Sequence, residues 1–478
     1  MVKQYPFIIA GKQRKSDEIV EVRFPYNNEV VAEVFQASDA NLEEAVQSAV
    51  KGFEITRKLP SHKRSQILYN LLALMEKRMD DMVSALVMEG GKTQNVAKGE
   101  ASRAMETVRV AAEEAKRVGG EIVPMDWTEA GEGRLGIVRR FPLGPVLGIA
   151  PFNYPLNLSC HKLAPAIAAG NSFILKPASA TPLSGLILGE LVLEAGFPPE
   201  ALSVVTCRGS KAEKLVADPR IAYFTFTGSS EVGWHLKSVS GRKRVGLELG
   251  GNAAAIVHED ANIPYAVSRI ANGGFTNAGQ NCISVQRVLI HRPVYNQTLE
   301  LLLDRISEMK VGDPRDPDVV IGPMIDEWAA KEAFEKVEEA VAQGAQIVLG
   351  GKCEGTMFQP TVLVNTSPDM KVNRTELFAP VITVTPYDEF EDAIRLANDT
   401  DFGLQSGIFT QNMNRVLHAF EEIEVGGLQV NDVSTFRVDQ MPYGGVKGSG
   451  IGREGPRYVI EEMTEMKLMV INMPGGIA

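Results

Sequence analysis

The sequence predicts an α/β protein built on parallel sheets, and three observations carry that prediction. From residue 144 short apolar runs alternate with helix-like segments. A second alternating section begins after residue 251 and runs to about 446. Two stretches, GEIVPMDWTEAGEGRLGIVRRF around 120–141 and MKLMVINM at 466–473, read as strands that belong to neither body. Strand–helix alternation is the pattern of a parallel sheet with helices on both faces.

In chain order, Leu42, Ala45, Val46, Ala49 and Phe53 recur at helical spacing behind Ser38 and Asp39, either of which suits an N-cap. A longer helix follows, with Ile67, Leu68, Leu71, Leu72 and Met75 on one side, a stripe that reads as core packing. GPVLGIAPF, SFILKPA, ALSVVTC, IAYFTFTG and VGLELGG are the strands of the first body. LSCHKLAPAIAAG, TPLSGLILGELVLEAG, SKAEKLVAD and SSEVGWHLKSVS are the helices between them. Open α/β sheets bind ligands beyond the carboxyl ends of their strands, so the chemistry belongs in the loops that follow those runs. A long exposed edge strand is a liability unless covered, commonly by a partner chain, and the two outlying stretches are expected to build an oligomerisation arm. There is no internal repeat and no low-complexity segment.

Composition narrows the function. The 478 residues amount to about three domains' worth of chain. Lys and Arg number 49 against 60 Asp and Glu, a net charge of −11, which argues against nucleic acid or anionic membrane as a partner. The four cysteines, Cys160, Cys207, Cys282 and Cys353, show neither CxxC pairing nor regular spacing, so no disulfide framework, zinc site or other metal centre is expected. The N-terminal apolar run is too short for a secretory signal. No apolar stretch reaches the roughly 18 residues of a membrane span. A soluble cytoplasmic enzyme is the expectation.

Gly450, Gly452 and Gly455 match GxGxxG, but only 23 residues follow, too few for the strand–helix–strand unit a dinucleotide fingerprint needs. That run is read as a glycine-rich turn. The informative window is FTNAGQNCISVQRV, 275–288, where Cys282 stands among Gly279, Gln280, Asn281 and Ser284. A polar, glycine-containing setting suits a reactive thiol better than an inert buried one. Glu248 ends the apolar strand VGLE, a place packing alone does not explain, and Asn153 ends another in APFNYP. His161, His235 and His258 form no visible triad with Cys282 and are read as helix or turn residues.

Together these pieces resemble the aldehyde dehydrogenase superfamily over essentially the whole chain. The resemblance rests on PFNYP around Asn153, LKPA around Lys176, FTGS at Phe226–Ser229, LELGGN around Glu248, GQNC at Cys282, ELFAPV around Glu376 and PYGGVKGSGIGRE from Pro442, in that order and spacing. It implies a Rossmann-like cofactor domain from 1–118 and 142–250 and a catalytic domain from 251–446. An arm and tail would come from 119–141 and 447–478. It also implies a homodimer or homotetramer.

The implied chemistry is attack of the Cys282 thiolate on an aldehyde, with the oxyanion taken by the Asn153 amide and the Cys282 backbone N–H. Hydride passes to a nicotinamide, and Glu248 acts as base for the water that cleaves the thioester. Glu248 also favours water over a thiol as acceptor. For the cofactor, the family places Lys176 on the adenosine ribose, Gly228 and Ser229 at the pyrophosphate, and Glu376 on the nicotinamide ribose with Phe378 beside it. Where the family usually has Gly, this chain has Ala379. NAD-preferring relatives commonly carry Glu three residues after the lysine; here Ser179 removes that charge, and Arg208 and Lys211 add attraction for a phosphate. NADP is therefore expected to bind at least as well as NAD.

The substrate is less marked. Tyr154, with Arg103 and Arg437, resembles the non-phosphorylating glyceraldehyde-3-phosphate dehydrogenase branch. That branch often has Arg before the nucleophile, where this chain has Asn281. Lactaldehyde- and succinate-semialdehyde-type members share the same surroundings. The expectation is a small polar aldehyde, anionic ones included. The alternatives are that phosphorylated substrate specifically, or a silent binding relative. A silent relative would have lost Cys282 or Glu248, and a redox-free thiol acyltransferase would leave Lys176, Ser229 and Glu376 without purpose.

Overall fold

The computed structural model describes residues 2–473. Its first body is organised by an eight-stranded sheet whose central five strands are parallel: Arg244–Glu248, Tyr223–Thr227, Val146–Ile149, Phe173–Lys176 and Leu202–Val204, in that spatial order. These are the five apolar runs of the first section, and counted along the chain they lie 5-4-1-2-3. That is the order of a doubly wound dinucleotide-binding sheet, with its switch point between Val146–Ile149 and Tyr223–Thr227. The helices that cross between them, Pro155–Ala169, Leu183–Glu194, Gly209–Ala217 and Ser230–Val239, fall on the expected segments. The helix Asp39–Thr56 starts at Ser38, whose side chain accepts from Asn41 N–H in a capping box. Leu42, Ala45, Val46 and Ala49 of that helix are buried, and so are Leu68, Leu71 and Met75 of the next.

Two features of this body escape the sequence pattern. Phe7–Ile9 and Lys12–Arg14 extend the sheet antiparallel at one edge, and Lys3–Tyr5, Val30–Phe35 and Ile19–Arg23 make a small sheet of their own. Lys3–Tyr5, Phe7–Ile9 and Lys12–Arg14, at three residues each, carry no periodicity to detect. At the other edge Gly450–Ile451 pairs antiparallel with the Glu248 strand. The GxGxxG run is thus a turn crossing a sheet edge. Gly450, Gly452 and Gly455 have φ of +141°, +86° and +103°, conformations closed to most side chains.

The second body carries a seven-stranded sheet in the order Gln346–Leu349, Thr361–Val364, Val381–Tyr387, Val285–His291, Ala253–Val257, Gln405–Phe409 and Gly427–Val430. All its pairs are parallel except the first. Outside both, Thr464–Asn472 pairs antiparallel with the whole of Arg134–Pro142, and Gly120–Val123 adds a third strand. The segment from 447 serves two places: Gly450–Ile451 and the helix Pro456–Glu462 pack on the first body before the chain enters this third sheet. Residues 474–478 of the expected tail lie outside the described ones. Among the described residues no helix is long and apolar enough to cross a membrane.

Candidate active site

The two bodies meet at residues 249–252, and the site forms around that link. Asn153 follows the first strand of the parallel order, Gly228 and Ser229 follow the fourth, and Glu248 ends the fifth. A Cβ on Gly250 would collide with the Glu376 carboxylate, and one on Gly251 with the Cys282 carbonyl oxygen. Glycine is required at both positions by close approach.

Cys282 is delivered by a strained turn. Asn277, Ala278 and Gly279 are successively left-handed, with φ of +56°, +54° and +69°. The two non-glycine residues cost of order 1–3 kcal/mol each, and such strain persists only where the surroundings over-determine it. Here they do. Asn277 Nδ2 donates to the Gln280 carbonyl at 3.2 Å, Gln280 Nε2 donates back to the Asn277 carbonyl at 3.2 Å, and Gln280 Oε1 accepts from Ile325 N–H at 2.8 Å. Ala379, the departure from the family glycine, is buried in the second body's core, so the loop beside this turn accommodates its methyl.

A buried ion pair braces the same turn from the first body. Lys92 and Glu100 lie 3.1 Å apart, and both side chains are fully buried. Glu100 Oε1 accepts from the N–H groups of Leu156 and Asn157, the first turn after Asn153. Lys92 sits 3.9 Å from the centre of the Tyr154 ring and donates to Asn277 Oδ1 at 3.5 Å. Lys92→Met strands a buried carboxylate, an expected loss of about 3–5 kcal/mol. Urea unfolding of the variant checks this, and wild-type stability would show the pair to be dispensable.

Cys282, Asn153, Glu248, Tyr154, Arg103 and Arg437, all singled out from the sequence, line one cavity of about 240 Å³. Cys282 Sγ is 3.1 Å from the Tyr443 hydroxyl. Burial pushes the thiol up to about 12, with the Tyr443 bond pulling the other way. Asn153 Oδ1 accepts from Tyr154 N–H at 3.0 Å and its Nδ2 donates one hydrogen to the Gln280 carbonyl at 3.2 Å, which leaves the second amide hydrogen unspent among the described residues. Among the described residues the Cys282 backbone N–H donates to no group. The site thus offers a thiol, an amide donor and an uncommitted N–H together, the set a developing oxyanion needs.

The carboxylates of the cavity are unequal. Burial, then the charge of Glu454, pushes Glu248 well above the usual carboxylate range, and its Oε2 has no partner. Burial also opposes the charge of Glu454, but Lys162 at 3.2 Å and Arg437 at 2.8 Å outweigh it and keep that carboxyl below its ordinary value. Of two adjacent acids, Glu454 is the ionised one and Glu248 the proton carrier.

Three guanidiniums face the same space, each held by one acid. Arg103 pairs with Asp439 at 2.8 Å, Arg269 with Asp432 at 2.6 Å, and Arg437 with Glu454 while lying 3.7 Å over the Tyr443 ring. His161 sits inside this network. Its Nε2 is 2.9 Å from Asp439, which only accepts, and 3.1 Å from Arg437, which only donates. Burial, reinforced by Arg437, lowers its pKa against the opposite pull of Asp439 and Glu454. The helix-residue reading of His161 is right about its element and silent about this role. His235 bonds Glu213 on the surface.

On the opposite side stand the residues expected at a dinucleotide. Lys176 is buried, burial lowers its pKa, and among the described residues its ammonium has no hydrogen bond or ion pair. Gly228 lies under the Phe226 ring with no room for a Cβ. Ser229 begins the helix Ser230–Val239 without spending its hydroxyl on a cap, which leaves first-turn N–H groups for an anion. Burial raises Glu376 to about 7 against the bond it accepts from Gly251 N–H at 2.9 Å. Phe378, with φ of +51°, meets Phe152 edge-on across the cleft at 5.7 Å. Ser179 is exposed, with its hydroxyl 3.5 Å from the Cys207 carbonyl, so the Lys176 and Arg208 loops are neighbours. Arg208 and Lys211 both lean on Glu18, at 3.3 and 3.1 Å. An unpartnered buried ammonium, a free helix N-terminus and a carboxylate on one cleft suit a dinucleotide's ribose hydroxyls and pyrophosphate.

His258, Glu259 and His291 bring three potential ligand atoms within 4.8 Å of one another. The two rings stack at 4.2 Å and 7°, so their in-plane lone pairs run parallel instead of converging. With His258 Nδ1 on the Tyr387 hydroxyl at 2.8 Å, this is a packed pair and carries no metal argument.

Sequence reasoning missed Arg269, Asp439, Tyr443, Lys162 and Glu454. Tyr443 and Glu454 lie inside the glycine-rich PYGGVKGSGIGRE block, where the local pattern is that of a turn. Arg269, on the helix Ile263–Phe275, gives no local signal.

The model for the aldehyde dehydrogenase family matches residues 12–469. A 3-sulfolactaldehyde dehydrogenase from Priestia aryabhattai is 44% identical over 473 residues, 99% of each chain. The crystal structure of aldehyde dehydrogenase 21 from Physcomitrella patens, in complex with the reaction product succinate, superposes with a TM-score of 0.97 at 40% identity, covering 100% of both chains. A glyceraldehyde-3-phosphate dehydrogenase from Methanocaldococcus jannaschii complexed with NADP gives 0.92 at 36% identity, over 96% of this chain and 99% of that one.

Proposed function

The chain belongs to the aldehyde dehydrogenase family, and from that membership we propose that its cavity oxidises a small aldehyde bearing an anionic group on its far end. As a member it is an NAD(P)-dependent oxidoreductase that converts a small polar aldehyde to its acid through a cysteine thiohemiacetal and thioester. The observation that carries the finer reading is the set of three arginines sharing a cavity with Cys282. A guanidinium has five donors, so the acid that fixes each one leaves others for a sulfonate, carboxylate or phosphate. The cavity is small beside the roughly 300–1,000 Å³ of common ligand pockets, which suits a substrate of a few carbons. The Priestia relative is named for a sulfonated aldehyde.

In this reading the Cys282 sulfur attacks the carbonyl carbon, and Asn153 Nδ2 with the Cys282 N–H takes up the charge on oxygen. Hydride leaves the former carbonyl carbon as the thioester forms, and a nicotinamide bound in the cleft would supply the acceptor for it. Glu248, once deprotonated, takes a proton from the water that cleaves the thioester, and Cys282 is returned. Lys176, Gly228, Ser229, Glu376 and Phe378 would hold the cofactor. Ser179 with Arg208 and Lys211 supports NADP at least as well as NAD, since two cations outnumber Glu18 there. The cofactor domain is 1–118 with 142–250, the catalytic domain 251–446, and 119–141 with 447–478 the arm and tail. Exposed Ile122, Met466, Leu468, Met469 and Val470 on the arm support a homodimer or homotetramer, which light scattering reads directly. Four free cysteines support a reducing, cytoplasmic setting.

Arg437, expected to contact substrate, is nearly fully buried against Glu454 and Tyr443, so removing it disturbs both. Arg269 is one-third exposed and makes the cleaner test. In Arg269→Gln, KM for sulfolactaldehyde and succinate semialdehyde should rise about tenfold or more while propanal is unaffected. Equal effects on charged and neutral aldehydes would remove the anion reading. The same rates run with both cofactors test the second point, and a wide advantage for NAD would overturn it.

A further inference from the structure

We propose that a groove at the foot of the arm binds a small polyanion, a metabolite carrying two or more negative charges on phosphate or carboxylate groups. The groove has a volume of about 450 Å³ and shares no residue with the cavity around Cys282. Its walls are the corner between the helices Asp39–Thr56 and Ser61–Lys77, the segment 118–120, and residues 139–142 where the strand Arg134–Pro142 leaves the arm. Arg57, Lys58, Arg64, Arg139 and Arg140 line it, and no carboxylate does. That is against the composition of a chain with 60 acidic residues and 49 basic ones. Of the five, only Arg57 has an ion pair among the described residues, with Glu54 at 3.2 Å.

Two features of the wall point to an anion as the missing partner. The helix Ser61–Lys77 opens into the groove behind Pro60, which has no side chain to cap it, so its first N–H groups carry an unspent partial positive charge. Arg64, in the first turn, spends Nη1 on the Ala168 carbonyl at 2.8 Å and leaves a buried Nε with no partner. Burial lowers its pKa, with no acidic neighbour working against the loss. A half-buried guanidinium without a counter-charge is costly unless a ligand supplies one. Arginine forks and a helix N-terminus are the donors that phosphate and carboxylate groups take. An anion bridging Arg139 on the arm strand and Lys58 on the body would tie the arm's foot to the first sheet.

The test is calorimetry on the full-length protein with NADP at saturation, so that the cofactor's own anion site is filled. Pyrophosphate and citrate are titrated separately at fixed ionic strength. Saturable binding of one anion per chain is expected, weakened about tenfold or more in the double variant Lys58→Glu/Arg139→Glu. It should be unchanged in Arg395→Glu, an exposed control on another helix. Both variants should keep the wild-type rate of aldehyde oxidation without added anion, which reports an intact fold. Tighter pyrophosphate assigns a phosphorylated ligand and tighter citrate a polycarboxylate; either supports the site. No saturable heat, equal loss in the control, or full binding in the double variant overturns it. A double variant that changes only the oligomeric state also overturns it, because the groove would then be filled by a second copy of the chain.

Discussion

Cys282→Ser is expected to lower kcat/KM by about ten-thousandfold or more while the cofactor still binds and the fold is unchanged. The hydroxyl is slightly smaller than the thiol and can still hydrogen-bond the Tyr443 hydroxyl that the sulfur meets at 3.1 Å, so packing loses little. What it loses is nucleophilicity. Even the native thiol, pushed up to about 12 by burial, has to be brought to the thiolate within the cavity. A serine is far harder to ionise there. Initial rates on the aldehyde panel, with a cofactor-binding titration as control, read this directly. Substantial turnover in the variant would mean that the sulfur is not the attacking atom.

Glu248→Gln should separate the two halves of the reaction. Acylation still releases one equivalent of reduced cofactor per site, and the following steady state falls by about 10²–10⁴-fold because water is no longer activated. A rapid-mixing trace showing the burst without sustained turnover is the expected signature, and an unchanged steady state would remove Glu248 from hydrolysis. The sign of the pH dependence follows from the same residues. Burial raises both Glu248 and Cys282, and each works in its deprotonated form. Their competent fractions therefore grow as pH rises through neutrality into the alkaline range, and neither group produces a falling limb there. In Glu248→Gln the rising limb of the hydrolytic step should vanish, while the burst rate keeps its own rise through Cys282.

Much of the site was legible because its residues sit where chain order and strand ends coincide. Cys282 in its polar window, Glu248 at the end of an apolar strand and Asn153 at the end of another line the cavity together. The five parallel strands of the first sheet also fall on the five apolar runs, since β-rich segments bounded by glycine and proline announce themselves locally. The three-residue N-terminal strands did not, having too few residues for a period.

The amino-acid sequence by itself determined the fold class and the family, and it pointed to Cys282, Glu248 and Asn153 as the reacting residues, because each reading depends on residue type at a fixed place relative to a strand. Tertiary structure alone decided which acid of the cavity holds its proton more tightly. Glu248 and Glu454 are 206 positions apart, and only their burial together beside Lys162 and Arg437 pushes the one carboxyl up and holds the other down. It also decided that Arg269 joins Arg103 and Arg437 around the thiol. Electrostatic environment is a property of distance through space, and distance through space between remote segments is not written in any local pattern.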